Sequence, residues 1–132
     1  MAELAAFLAR AGRTPFVWGE WDCSLWLADW LVERGYPDPA AHLRGRYHTA
    51  LGCARILGRL GGVEGAVASC AAIAGLARAP SPRIGDVGVV KAMTPAGARP
   101  VGAICTGRRW AVLAWPNGLH SFAAVASSAW RV

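Results

Sequence analysis

The residue best placed to do chemistry is Cys23, which follows Asp22 and precedes Ser24 directly after the aromatic-glycine stretch Phe16-Val17-Trp18-Gly19-Glu20-Trp21. A cysteine in the first turn of a helix has its thiolate stabilised by free backbone N–H groups and by the helix dipole. Asp22 is a good N-cap for such a helix, and Gly19 permits a tight backbone approach beside it. Together these features would build an activated nucleophile. The same residues also read as a small buried cysteine in a Trp-lined core, and this segment alone does not choose between the two. Trp18, Trp21, Asp22 and Trp26 surround the position and are the candidate binding residues.

A thiol nucleophile needs a base, and the chain has three histidines. His120 follows the Pro116-Asn117-Gly118 turn and is the best-placed candidate base, its alternative being an exposed residue at a strand end. His42 and His48 flank Gly45-Arg46-Tyr47 and read as packing or surface residues. Without a base, the ~10²–10⁴-fold contributed by positioned proton transfer is lost.

The other cysteines, Cys53, Cys70 and Cys105, are widely spaced and form no C-x-x-C pair. No metal site, cofactor or disulfide framework is expected from them. The formal charge of +6 comes from an almost lysine-free set of arginines, scattered without a basic run, so nucleic acid is not an expected partner. An apolar fraction of 55% excludes disorder, and seven tryptophans in 132 residues supply several large rings for a core or for a partner. The N-terminus shows no basic stretch of the kind that opens a signal peptide, which points to folding in a reducing cytoplasm. Val63 to Ala77 is short and contains Glu64, so membrane insertion is not expected.

The elements that must position Cys23 fall on two sides of Pro80. Before it the periodicity is helical. Leu4, Phe7, Leu8 and Ala11 mark one helix ending at Gly12, and a second runs from Asp22 to Gly35 with Cys23, Trp26, Leu27, Trp30 and Arg34 on one side. Thr49 caps a third, with Leu51, Ile56, Leu57 and Leu60 inward, and Gly61-Gly62 closes it. Val63 to Ala74 forms a weaker fourth helix. After Pro80, short strands are expected at Val87–Val90, Pro100–Cys105, Trp110–Trp115 and Leu119–Phe122, with Ala129–Val132 as an edge strand. This order predicts one α+β domain spanning 1–132, with N-terminal helices packed on a C-terminal antiparallel sheet.

Phe16-Val17-Trp18-Gly19, Asp22-Cys23-Ser24 and the later Gly85-Asp86-Val87 resemble the motifs of the NlpC/P60 superfamily of papain-like cysteine hydrolases. That resemblance implies an NlpC/P60-like fold, and a cysteine peptidase or amidase acting on peptidoglycan stem peptides with Cys23 as nucleophile. A longer set of motifs is similar to a family of short phage and prophage proteins usually encoded among tail genes. It comprises Trp18-Gly19, Asp22-Cys23, Ala28-Asp29, Leu43-Arg44-Gly45-Arg46-Tyr47, Gly61-Gly62, Gly85-Asp86-Val87 and Ala129-Trp130-Arg131-Val132. This second resemblance implies a structural or adaptor component of a phage tail tip. Its partners would be the tail hub or distal tail protein, its location the virion tail, and its assembly site the host cytoplasm.

The sequence departs from the hydrolase pattern at two positions. The hydrolases carry their base histidine at the start of the second strand, where this chain has Pro100-Val101-Gly102-Ala103-Ile104. Their third, orienting polar residue belongs on the next strand, where Ala111-Val112-Leu113-Ala114 is apolar throughout. Proline cannot deprotonate a thiol, so the expectation is a catalytically degenerate domain, with the active hydrolase as the alternative.

Overall fold

The computed structural model describes residues 1–116 and 118–132; the middle residue of the expected Pro116-Asn117-Gly118 turn lies outside them. Helix α1 (Ala2–Ala11) buries Leu4, Phe7 and Ala11 on one face. Phe7 packs against two rings of helix α2 (Leu25–Glu33), with centroids 6.2 Å from Trp26 and 5.2 Å from Trp30. Arg10 of α1 pairs with Glu33 across the two helices.

Helix α2 is buried almost all round rather than on one side, which differs from the one-sided helix expected. Trp26, Leu27, Trp30 and Leu31 join the main core, while Leu25 and Ala28 pack on Tyr47 and Cys53. The indole N–H of Trp30 donates to the Gly85 carbonyl at 2.8 Å, tying α2 to the entrance of the sheet. The regular part of α2 starts at Leu25, two residues after the expected N-cap Asp22 would open it, although the Asp22 carbonyl accepts from the Trp26 N–H at 3.2 Å.

Thr49 caps α3 (Ala50–Arg59), its hydroxyl accepting from the Gly52 N–H at 3.0 Å. The inward residue of α3 is Cys53; Leu51, expected inward, is 61% exposed, and Ile56 and Leu57 are half-buried. Gly61 then turns the chain into α4 (Gly62–Ala74). No single helix among the described residues is long and apolar enough to cross a membrane; α3 and α4 together have the length and composition but are bent by 67°.

The sheet has five antiparallel strands, β1 (Val87–Thr94), β2 (Gly97–Cys105), β3 (Trp110–Ala114), β4 (Gly118–Phe122) and β5 (Ser128–Trp130), in the order β4-β3-β2-β1-β5. The β1–β2 hairpin is longer than its apolar residues suggest, running from Val87↔Ile104 to Thr94↔Gly97. Thr94 makes the turn: its hydroxyl donates to the Gly97 carbonyl and accepts from the Ala96 N–H. β5 pairs with β1 as the expected edge strand, and Ala77 and Ala79 bond its outer side.

Val87, Val89, Ile104, Ala111 and Leu113 face the helices, in one core with Trp26 and Trp30. Val90, Ala103, Cys105, Trp110 and Val112 occupy the other face, under Ala79, Ala124 and Ala126. The architecture is therefore α+β, with the helices on one face of an antiparallel sheet.

Candidate functional site

Asp22 is fully buried, and both its carboxylate oxygens are committed. Oδ1 accepts from the N–H groups of Ser24 (3.0 Å) and Leu25 (2.9 Å); Oδ2 accepts from the Gly19 N–H (2.9 Å) and the Tyr47 hydroxyl (2.6 Å). These are charge-assisted bonds, and two of them satisfy the open donors at the head of α2. Gly19 is essential to the arrangement. Its φ of +84° is left-handed, and a Cβ there would sit 2.0 Å from the Tyr47 carbonyl oxygen. The segment carrying Arg44 to Tyr47 closes over this loop through a Gly45 N–H to Gly19 carbonyl bond of 2.9 Å.

Cys23 sits beside this carboxylate, ahead of the helix rather than in its first turn. The anion that receives the helix-start N–H groups is Asp22, so the thiolate stabilisation expected from them is absent. Three effects push the Cys23 thiol well above the ordinary thiol range: first its interaction with Cys53, then burial, then the Asp22 charge. Cys53 moves the other way, lowered chiefly by the nearby Cys23 thiol against the opposing effect of burial. Burial and the bond to Asp22 raise the Tyr47 phenol. The cavity next to Cys23, between α2, α4 and β2, has a volume of about 40 Å³ and apolar walls including Leu27, Val67 and Gly102. A space of that size is far smaller than pockets that take a substrate, which run to roughly 300–1,000 Å³.

The sheet brings no base to the thiol. A Cβ on Gly102 would lie 2.6 Å from Leu27 Cδ1 and 3.8 Å from the Cys23 carbonyl, so β2 runs directly against the start of α2. Pro100, two residues earlier on the same strand face, occupies the corresponding row, opposite Lys91. His120, the candidate base, pairs with Val112, and Val112 belongs to the face turned away from the helices. The sheet therefore separates His120 from Cys23, which removes it as a base. Among the binding candidates, Asp22 and Trp26 are completely buried and cannot meet a ligand. Trp18 and Trp21 are half-buried; Trp18 packs edge-on against Phe16 at 4.8 Å and Trp21 against Phe7 at 6.0 Å.

Two further polar centres are built largely from residues of the motifs, with no role for them legible from sequence alone. Arg44 bridges Asp29 of α2 and Asp38 of the following loop, both at 2.8 Å. Burial raises the Asp29 carboxyl against the opposing pull of Arg44, whereas Arg44 chiefly lowers that of Asp38. Asp86 is 1% exposed and accepts from the N–H groups of Arg83 (2.8 Å) and Val132 (3.0 Å) and from Arg131 Nε (2.9 Å). Asp22, Arg44 and Asp86 thus each fasten loops that carry no regular structure. Among the described residues, no group of three or more His, Cys, Asp or Glu side chains could hold a metal ion.

Fold and site together define an α+β domain whose prominent cysteine lies beside a buried, fully hydrogen-bonded carboxylate. The chain belongs to the DUF6950 family, a domain of unknown function, matched over residues 1–132. No curated protein and no solved structure matches it.

Proposed function

We propose that the protein is a non-catalytic structural or adaptor component of a phage tail tip, built on a degenerate NlpC/P60-like fold. The observation that carries the non-catalytic part is the occupation of the α2 N-terminus by Asp22, whose four hydrogen bonds leave the neighbouring Cys23 thiol outside the helix-start N–H groups. A nucleophile needs a depressed pKa and a neighbouring base, and Cys23 has the opposite shift with Pro100 on the facing strand row. Support for the NlpC/P60-like architecture is the order of helices before the antiparallel β1–β2 hairpin, with β2 set against the cysteine. Support for the tail role is the motif set running from Trp18 to Val132, whose members Asp22, Asp29, Arg44, Tyr47, Asp86 and Arg131 form the polar centres of this fold.

Two experiments test the proposal. Cell walls incubated with the wild-type protein and with Cys23→Ala should release no muropeptides in either case; release that depends on Cys23 would establish the peptidoglycan hydrolase instead. Phage particles made without the protein should have incomplete tails, with the hub or distal tail protein lost or misplaced. Normal tails and normal adsorption would reject the structural role.

A further inference from the structure

The sheet ends differently at its two sides. Outside β5 the Ala79 N–H donates to the Ala129 carbonyl at 2.9 Å and the Arg131 N–H to the Ala77 carbonyl at 2.8 Å, so that edge is covered. At the other side β4 pairs with β3 alone. Its residues, Gly118-Leu119-His120-Ser121-Phe122, include no lysine, arginine, proline or carboxylate, the types that commonly guard an open edge.

Which backbone groups of β4 point outward follows from the register. Cys105 turns its N–H and C=O toward β1, where they bond the Asp86 carbonyl and the Gly85 N–H, both at 2.8 Å. Successive residues of an antiparallel strand bond to alternate sides, so Ile104 points to β3 and its partner Ala111 points back to β2. The Thr106 N–H donating to the Arg109 carbonyl at 2.9 Å agrees with this phase. Trp110 and Val112 therefore bond Phe122 and His120, and the N–H and C=O groups of Leu119 and Ser121 project away from the sheet. Among the described residues the one of these groups with a partner is the Ser121 carbonyl, which accepts from the Arg109 guanidinium at 2.6 Å and keeps a second lone pair. His120 and Ser121 are both exposed.

We infer that β4 is a self-pairing edge, on which a second copy of this chain docks antiparallel to make a two-fold dimer with one continuous sheet. Backbone donors and acceptors at strand spacing are matched by another strand, and β4 matches its own. With the axis at His120, Leu119 meets Ser121 of the second copy and Ser121 meets its Leu119, each pair exchanging both bonds. On the outer face Phe122 comes to lie across from Gly118, which has no side chain to clash with it. The net charge of +6 does not oppose the contact. No charged side chain lies on β4, and the two Arg109 guanidiniums fall at opposite ends of the new pair, ~20 Å apart along the strands against a screening length of ~8 Å. So short a strand buries little surface, which makes the dimer weak and concentration-dependent. Self-pairing depends on the edge alone and not on the tail role.

Amide hydrogen exchange, read by NMR on the unmodified full chain at about 20 μM and about 500 μM, tests the edge directly. The Leu119 and Ser121 amides should slow at least about threefold at the higher concentration, whereas those of His120 and Phe122, already bonded to β3, should not change. Sedimentation velocity over the same range should show the dimer growing in. His120 faces its own copy across the axis at a Cα separation of ~4.5 Å. His120→Glu and His120→Lys should therefore each weaken dimerisation at least about tenfold, and an equimolar mixture of the two variants should restore it. His120 is exposed, so both replacements keep the fold. A wild type still monomeric at about 500 μM would overturn the inference. So would a dimer whose Leu119 and Ser121 amides exchange as fast as in the monomer, or one that the charges at position 120 neither weaken nor, when mixed, restore.

Discussion

Replacing one oxygen of the Asp22 carboxylate tests whether this residue holds the site loop together. In Asp22→Asn the amide keeps one acceptor oxygen, so Ser24 and Leu25 N–H on one side, or Gly19 N–H and the Tyr47 hydroxyl on the other, must face an NH₂ group. The Tyr47 hydroxyl can rotate and accept, but a backbone N–H cannot. Each buried donor left unpaired costs ~1–3 kcal/mol, and the lost charge assistance adds to it, giving a total of ~3–5 kcal/mol. Tyr47→Phe removes one donor from the buried carboxylate and should cost ~1.5–3 kcal/mol. Because both changes act on the same bond, the double variant should lose less than the sum, with a coupling of ~1–2 kcal/mol. Urea unfolding followed by tryptophan fluorescence reads all four corners of the cycle. With total stability for such domains of ~5–15 kcal/mol, the single Asn variant should already show a large drop in midpoint. An Asp22→Asn cost under ~1 kcal/mol with zero coupling would refute the reasoning, because Asp22 would then not be the cap of this loop.

Gly19→Ala should destabilise by more than ~3 kcal/mol, since both its positive φ and the 2.0 Å approach to the Tyr47 carbonyl forbid a Cβ; Gly45→Ala, at φ +71° with open space, should cost only ~1–2 kcal/mol. Midpoints of urea unfolding for the two variants check this contrast. Arg44→Lys should lower stability by ~1 kcal/mol, because a single ammonium cannot bridge Asp29 and Asp38 as the guanidinium does. Stability should also fall at alkaline pH. The unfolded chain ionises Tyr47 from its ordinary value of 10.0 upward, whereas the folded chain holds that proton, so the unfolded state binds fewer protons there and gains on the folded one. Cys23 acts in the same direction from 9.0 upward and the lowered Cys53 opposes it, so Tyr47 carries the cleaner signal. Denaturation midpoints between about pH 9 and pH 11 should fall for the wild type and fall less for Tyr47→Phe.

The parts of the fold that announce themselves locally are the helices and the strand order. Thr49 before an apolar-periodic run, Gly61-Gly62 after it, and short β-rich segments punctuated by glycine and proline each act within a few residues. Asp22 caps α2 as its position before the apolar run predicts, accepting from the Ser24 and Leu25 N–H groups, but it also braces the loop before the helix. That second role is invisible in one dimension, because the Tyr47 hydroxyl it uses is contributed from another segment. Leu51 was placed inward by its apolar character, yet the position that meets α2 belongs to Cys53, two residues on. The influence of Cys53 on Cys23 is not legible for the same reason: thirty residues and a loop separate the two thiols in the chain. His120 lies in the sheet half with the rest of the expected site, but strand alternation decides which face it takes, and it pairs with Val112 on the face away from the helices.

The proposed loss of catalysis rests on a Cys23 thiol held above the ordinary thiol range rather than activated as a nucleophile. Alkylation by iodoacetamide across pH, with each cysteine's modification quantified by peptide mass spectrometry, measures this directly. Cys23 should react at about pH 7 more slowly than a free-cysteine peptide, and its rate should still be rising at about pH 10. A Cys23 rate that reaches its plateau near neutral pH would contradict the account and return the thiol to the role of nucleophile.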